Sequence, residues 1–471
     1  MDYRDLSKWI RAAANWTETY YRTLDRRPVR PALTPNHLLD QLPSEPPEDP
    51  ESVEAIFDDF TRLVPDGMTH WQHPGFFAYF SAMASPASIL GEVLADTIAC
   101  NTMLWQTSPA ANEMERRMID WFRQALGLPN HFRGLIQDGA SLATLCAVLT
   151  MRERAAAGDG NQTGLARMAP LRIYASPENH SSVMKAVRVS GIGGNNLVRI
   201  PIDARRSMDP EALRAAIRND LASGLIPAGV ILCLGGTASG ATDDLDSCLT
   251  VARDFDLYTH VDAAWAGSAM ICPELRYLWS GIEKADSIVL NPTKLIGMQS
   301  DSSIHLLANP AEQIRAVSYS ADYLATETDA DIVDISSMTL PLGRRFRALK
   351  IWFHFRAYGL TGMRCLIRNH IRWNHQLRDA FRADPDFDLW ITTPLALFGF
   401  TFCPAGHDAN HITSRLLHRI NDDGRIYLTK TMIDGRETIR VTGGTFTTSQ
   451  EDVMSVYPIV REIADHCLAA S

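Results

Sequence analysis

No Cys-x-x-Cys pair occurs in this chain, and no cysteine/histidine spacing suits zinc. The eight cysteines (100, 146, 233, 248, 272, 365, 403 and 467) therefore read as reduced thiols, and no metal site is expected. No apolar run approaches the ~20 residues that a membrane span requires. Asp2, Arg4, Asp5 and Lys8 interrupt the stretch where a signal peptide carries its apolar core, so the expectation is a cytoplasmic protein without a membrane partner. A long basic block is also missing, and the formal net charge is −10, which speaks against nucleic acid and for a small-molecule partner. There is no G-x-x-x-x-G-K-[ST] loop. The glycine-rich stretches Gly191 to Gly194 and Gly235 to Gly240 lack the G-x-G-x-x-G spacing of a dinucleotide site. No internal repeat or low-complexity tract is present.

What remains is an ordinary globular composition, 46% hydrophobic and 21% charged, over 471 residues, enough for two or three lobes. Leu6, Trp9, Ile10, Ala13, Trp16, Tyr20 and Leu24 recur at helical spacing and predict an amphipathic helix over about 3–24. A proline-rich strap follows from Pro28 to Pro50, then a helix near 51–64 and further helices over 85–125. From about 134 to 308, apolar runs (171–175, 198–201, 229–234, 258–261, 287–290, 303–307) alternate with helical stretches. This pattern predicts βαβ units and a largely parallel sheet, with ligands at the carboxyl ends of its strands. Residues 320–338 are polar and read as a mobile lid. Pro341 to Arg347 read as a basic helical segment, and a small α+β lobe closes the chain. The expected domains are an N-terminal helical and strap lobe at 1–84, a large domain at 85–350 and a small domain at 351–471.

Two residues at strand ends carry chemistry. Asp262 follows the run at 258–261, and Lys294 follows the run at 287–290 in Asn291-Pro292-Thr293-Lys294. An aspartate that keeps a ring nitrogen protonated and a lysine that forms an imine are the two protein groups pyridoxal phosphate needs as an electron sink. Gly139-Ala140-Ser141-Leu142-Ala143-Thr144 offers small residues and free amides at a helix start, where a phosphate can be held, and Asn291 can add an amide donor. His180, after the run at 171–175, can lie over a ring and act on substrate protons. Thr237 follows another strand-like run and can contact the cofactor.

Asn179 to Val183, His260 to Gly267, Ile271 to Glu274, Asn291 to Lys294 and Pro341 to Arg347 together resemble the group II pyridoxal-phosphate-dependent amino acid decarboxylases, particularly the aromatic L-amino acid branch with its aldehyde synthases. His70 to Pro74, Phe77 to Phe80 and Trp105 with Ser108-Pro109 extend the likeness toward the N-terminus. The resemblance implies an α/β fold type I chain of the aspartate aminotransferase kind. It would have a mostly parallel seven-stranded sheet, an N-terminal lobe that wraps a partner, and active sites shared in a homodimer. By motif position it implies Lys294 as the Schiff-base lysine, Asp262 as the partner of the pyridine nitrogen and His180 stacked on the ring. Ala140, Ser141 and Asn291 would hold the phosphate, and Thr237 and Ala264 would flank the cofactor. The substrate pocket would include Tyr79, Phe80, Ala82, Asn101 and Met103.

The departures from the family pattern concern what happens after carboxylate loss. The usual Asn-Pro-His-Lys is here Asn-Pro-Thr-Lys, and the lid's Asp-Tyr, whose tyrosine is thought to protonate the carbanion, is here Asp334-Ile335. Losing a proton donor leaves the electron sink intact but lets dioxygen compete for the carbanion. The expectation is decarboxylation of an L-amino acid with a polar or conjugated side chain, to an amine or, by oxidative deamination, to an aldehyde. The alternative is β-elimination on a substituted cysteine.

Overall fold

A computed structural model describes residues 1–319 and 334–469 of the chain. They divide into two compact units, one made of residues 1–81, 372–390 and 398–471, the other of residues 82–371 and 391–397. In the first unit, Asp2 caps helix α1 (Tyr3–Arg22) through a reciprocal bond with Asp5, and Ser52 caps α2 (Val53–Leu63). The aromatic stripe read from the sequence joins these helices, with Trp9 against Phe57 and Trp16 against Phe60.

The second unit opens with α3 (Pro86–Ile98) and α4 (Pro109–Leu126), each begun by a Ser-Pro pair, with proline at the first position where no amide hydrogen is needed. Strand β1 (Arg133–Gln137) leads to α5 (Ala140–Ala155) and the one-turn α6 (Gly160–Thr163). Next come β2 (Leu171–Ala175), α7 (Ser181–Val189), β3 (Leu197–Arg199) and α8 (Pro210–Ala222). The chain continues through β4 (Ile226–Cys233), α9 (Leu245–Asp254), β5 (Tyr258–Asp262), β6 (Ser287–Leu290), α10 (Pro292–Leu295), β7 (Ser303–Leu307) and α11 (Pro310–Val317). The seven strands form one sheet in the order β1-β7-β6-β5-β4-β2-β3. Strands β2 to β6 are parallel, whereas β7 runs antiparallel to both β6 and β1. Two reversals make β1 run with β6, so the segments after β1, β2, β4, β5 and β6 all emerge at one edge of the sheet.

Residues 320–333, most of the expected lid, lie outside the described residues. Its expected end, Ile335–Met338, is a tight turn whose Ile335 and Met338 are buried against Leu135 and Leu307. The expected helix over Pro341 to Arg347 begins only at Arg347, with α12 (Arg347–Ala383, interrupted at Gly359). Before it, the backbone is committed elsewhere: the Arg344 N–H donates to Asn101 Oδ1, and the Arg344 carbonyl accepts from the Thr102 N–H. Arg344 is itself buried and paired with Glu115.

The chain continues with β8 (Phe387–Thr392), β9 (Leu397–Phe402), α13 (Ala409–Asp423), β10 (Thr429–Ile433), β11 (Arg436–Thr442) and α14 (Gln450–Ala469), which apart from residues 391–392 and 397 complete the first unit. These four strands pair in the order β10-β11-β9-β8 over a core that includes Phe381, Phe387, Phe398, Phe400 and Phe402. No helix among the described residues is long and apolar enough to cross a membrane.

Candidate active site

A cleft of about 250 Å³ opens at the sheet edge where those segments emerge. All eight expected cofactor contacts line it: Ala140, Ser141, His180, Thr237, Asp262, Ala264, Asn291 and Lys294. Gly139, which opens the stretch read as a phosphate site, lines it too, as do Ser182, Cys233, Gly235, Gly236 and Trp265, which the sequence did not mark as cofactor contacts. Each is a neighbour of an expected residue at a strand end, which is the signal that could have found them.

At one end of the cleft, α5 starts without a side-chain cap. The N–H groups of Ala140 and Ser141 have no acceptor among the described residues, so this helix start is left open for an anion. Gly139 keeps the approach clear: a Cβ built there meets nothing within 4 Å among the described residues. Across the cleft, Asn291 Oδ1 accepts from Ser303 Oγ at 2.7 Å, which leaves its amide nitrogen as a donor with no partner among the described residues.

At the other end, Asp262 terminates β5 with 8% of its surface exposed. One carboxylate oxygen accepts the Ala264 N–H at 3.1 Å, and the other has no partner among the described residues. A buried carboxylate in this state calls for a cationic neighbour. Cys233, the register partner of Asp262 on β4, carries a thiol that burial, with Asp243, Asp262 and Glu178 nearby, pushes well above its ordinary range. It therefore stays protonated and is a poor nucleophile. Gly235 is left-handed (φ 82°) and packs so closely on Ala266 and Trp265 that a Cβ would stand 2.6 Å and 2.8 Å from them.

His180 caps α7, with Nδ1 accepting the Ser182 N–H at 3.2 Å and lying 2.9 Å from Ser182 Oγ. Because Nδ1 accepts, the neutral ring carries its proton on Nε2, which has no partner among the described residues. Two residues earlier, buried Glu178 bonds Ser239 Oγ and Arg206, the former on the loop that carries Thr237. Lys294 sits on α10, whose turn is held by bonds from the Met83 N–H to the Thr293 carbonyl and from the Ser85 N–H to the Gly297 carbonyl.

Of the five expected substrate contacts, Ala82, Asn101 and Met103 do not line this cleft, and Tyr79 and Phe80 belong to the first unit. Tyr79 is exposed and stacks on Trp71, Phe80 lies under the Arg440 guanidinium, and Ala82 is half-buried. Asn101 Oδ1 accepts from the N–H groups of Met103 and Arg344, so it joins its own turn to the segment before α12. No group of histidine, cysteine or acidic side chains suited to a metal ion occurs among the described residues.

An open anion-binding helix start, a carboxylate with a spare oxygen and a lysine around one cleft fit pyridoxal phosphate. Comparison with known proteins agrees. A model of the pyridoxal-dependent decarboxylase conserved domain matches residues 35–402. Tyrosine decarboxylase 2 of Narcissus pseudonarcissus is 33% identical over 487 residues, covering 100% of this chain and 96% of the relative. The 4-hydroxyphenylacetaldehyde synthase of Rhodiola rosea is 33% identical over 476 residues, covering 98% and 96%. A crystal structure of Oryza sativa TDC with PLP and tryptamine superposes with a TM-score of 0.96 at 30% identity, covering 99% of each chain.

Proposed function

The chain belongs to the pyridoxal-dependent decarboxylase family, and from that premise we propose a division of labour among its residues and a product. It is a pyridoxal-phosphate enzyme of decarboxylase type, with the fold type I architecture. When bound, the cofactor supplies an electron sink for the bond that breaks at the amino acid's α-carbon. Lys294 supplies the amine that tethers the cofactor, and Asp262 holds its ring nitrogen protonated with the spare carboxylate oxygen. The Ala140 and Ser141 amides and the Asn291 side chain hold the phosphate, while Thr237 and Ala264 flank the ring. His180, whose Nε2–H is left as a donor at the cleft, would orient the substrate carboxylate once cofactor and substrate are bound. The observation that carries this reading is the convergence of Lys294, Asp262 and the open start of α5 on one cleft.

For the product, we propose an aldehyde in preference to an amine. Position 335 offers an aliphatic side chain, buried in an apolar cluster, where the resemblance leads one to expect a proton donor. The electron pair left by carbon dioxide then passes to dioxygen, and the amino acid, O₂ and water yield aldehyde, CO₂, ammonia and hydrogen peroxide in equal amounts. None of the relatives named above is a β-eliminating enzyme, and that alternative has no support here.

We also propose a homodimer. The α3 face formed by Leu90, Val93, Leu94 and Ile98 is 39–59% exposed, an apolar strip of the kind that a second copy covers. In that assembly residues 1–84 form the wrapping lobe, and Tyr79, Phe80, Ala82, Asn101 and Met103 meet the substrate side chain from the second copy. The test is to incubate the loaded enzyme with aromatic and polar L-amino acids and assay CO₂, ammonia, peroxide and organic product together. Equal amounts of all four support the aldehyde. CO₂ with amine alone refutes it, and ammonia without CO₂ refutes decarboxylation.

A further inference from the structure

Between the sheet and α5 lies a line of polar side chains that the reaction does not use: Thr339, Gln137, His305, Ser287, His260 and Thr144. All are at most 3% exposed. The contacts are continuous. Thr339 Oγ1 meets Gln137 Oε1 at 2.7 Å, and Gln137 Nε2 lies 3.5 Å from His305 Nδ1. Ser287 Oγ stands 2.8 Å from both His305 Nε2 and His260 Nδ1, and His260 Nε2 stands 3.4 Å from Thr144 Oγ1. Thr144 Oγ1 ends the line on the carbonyl of Ala140 at 3.0 Å, in the first turn of α5.

That last carbonyl fixes the direction of every proton in the line. A carbonyl only accepts, so Thr144 spends its hydroxyl hydrogen there and His260 must donate from Nε2. Burial holds both imidazoles neutral, His260 down at about 4 and His305 well below its ordinary value. A neutral His260 therefore accepts at Nδ1 from Ser287. Ser287, its hydrogen spent, accepts from His305 Nε2, and His305 accepts at Nδ1 from the Gln137 amide. The Gln137 oxygen is left to accept from Thr339, and that orientation of the amide is the one in the structure. The buried Tyr258 phenol also meets Ser287, and because burial keeps it protonated it can donate to the Ser287 oxygen, which leaves the direction of the line unchanged.

We propose that this one-way chain is the positioning device of the cofactor cradle, fixing the first turn of α5 against β5 and so the span from the phosphate-holding amides to Asp262. The inference rests on the pyridoxal phosphate reading of the site. His260 is two residues from Asp262 on β5, and Thr144 bonds the carbonyl of Ala140, whose own N–H faces the cleft. The chain also reaches Thr339, directly after the Ile335–Met338 turn, so the packing of that turn is linked to the cradle. Ser287, His260 and His305 touch neither cofactor nor substrate and act as positioning residues.

Nitrogen-15 correlation spectra of histidine-labelled protein, assigned with His260→Gln and His305→Gln, test the direction. Both rings are expected neutral and protonated at Nε2 at pH 6, and an Nδ1–H or doubly protonated ring overturns the proposal. Ser287→Ala strands one donor and one acceptor, so the dissociation constant for pyridoxal phosphate is expected to rise about tenfold with a shifted phosphorus-31 resonance of the bound cofactor. Ser287→Thr, which keeps the hydroxyl, is expected to stay within about twofold of the wild type. Unchanged affinity and resonance in Ser287→Ala overturn the proposal. Should that variant not fold, Thr339→Val at the far end is expected to move the His260 signals and weaken cofactor binding about threefold, and no movement of either is equally contrary. A wild-type protein that binds no cofactor defeats the functional reading itself. Binding that is indifferent to Ser287 defeats only the chain.

Discussion

Ser182 directs both its backbone N–H and its hydroxyl at a single atom, Nδ1 of His180, at 3.2 Å and 2.9 Å. The backbone bond sets the tautomer and the hydroxyl steadies the ring, so the two can be separated by mutation. In Ser182→Ala the tautomer survives and the tilt loosens. Decarboxylation is expected to slow about fivefold, the worth of one neutral hydrogen bond, with cofactor affinity unchanged. Steady-state CO₂ release and a cofactor titration check this, and a rate equal to the wild type contradicts it.

Gly139 separates cofactor fit from protein stability. It is extended (φ −168°), and a Cβ there meets nothing within 4 Å among the described residues, so Gly139→Ala is expected to cost the apo protein little in packing. The methyl group instead occupies the phosphate approach. The apo melting temperature should stay within about 1 °C of the wild type, while cofactor affinity falls about tenfold. Equal affinity for the two proteins would show that the phosphate sits elsewhere.

Ile335 is 1% exposed among Leu135, Leu307 and Met338. A tyrosine at 335 can reach a substrate only by leaving that cluster, and inside it the phenol overpacks and buries a hydroxyl. Ile335→Tyr is expected to destabilise the fold by about 1–3 kcal/mol and to raise the amine share of the product. Denaturant unfolding and the product assay measure both effects. A variant with wild-type stability and an unchanged product ratio contradicts the account.

Buried neutral histidines set the acid limit. His260, His354 and His370 are held down to about 4, and His305 well below its ordinary value, each chiefly by burial. Once unfolded they titrate near 6.5, so the unfolded chain binds more protons and stability falls as pH drops from about 6.5 toward 4. Asp243, raised to about 6 by burial, opposes this by holding a proton in the folded state. The four histidines outnumber Asp243, so these groups together take up protons on unfolding near pH 5. Thermal melts from pH 7 to pH 5 should show a steady loss, and a flat profile would contradict it.

The buried strands β2, β4, β5, β6 and β7 were legible and coincide with the runs read from the sequence because each keeps enough buried apolar positions to stand out, Ile173, Val230, Val261, Ile288 and Ile304 among them. Strand β1 was not, because Arg-Gly-Leu-Ile-Gln becomes a strand only by pairing with β7. The cofactor side of the cleft was legible for a related reason. Parallel strands deliver their following residues to one edge, so Asp262, His180, Thr237 and Lys294 converge whatever lies between them. For the substrate side, the sequence offers Asn101 as a polar side chain but does not carry the tertiary fact that its Oδ1 accepts from the N–H groups of Met103 and Arg344. Ile335 could be read as the absence of a donor, but its burial is a tertiary fact that the pattern of one polar stretch does not carry.

Borohydride reduction of the cofactor-loaded protein, followed by peptide mass mapping, tests the central claim most directly. The account predicts a pyridoxyl adduct on Lys294 in the wild type and none in Lys294→Ala. An adduct on another lysine, or an unmodified chain after loading, contradicts it.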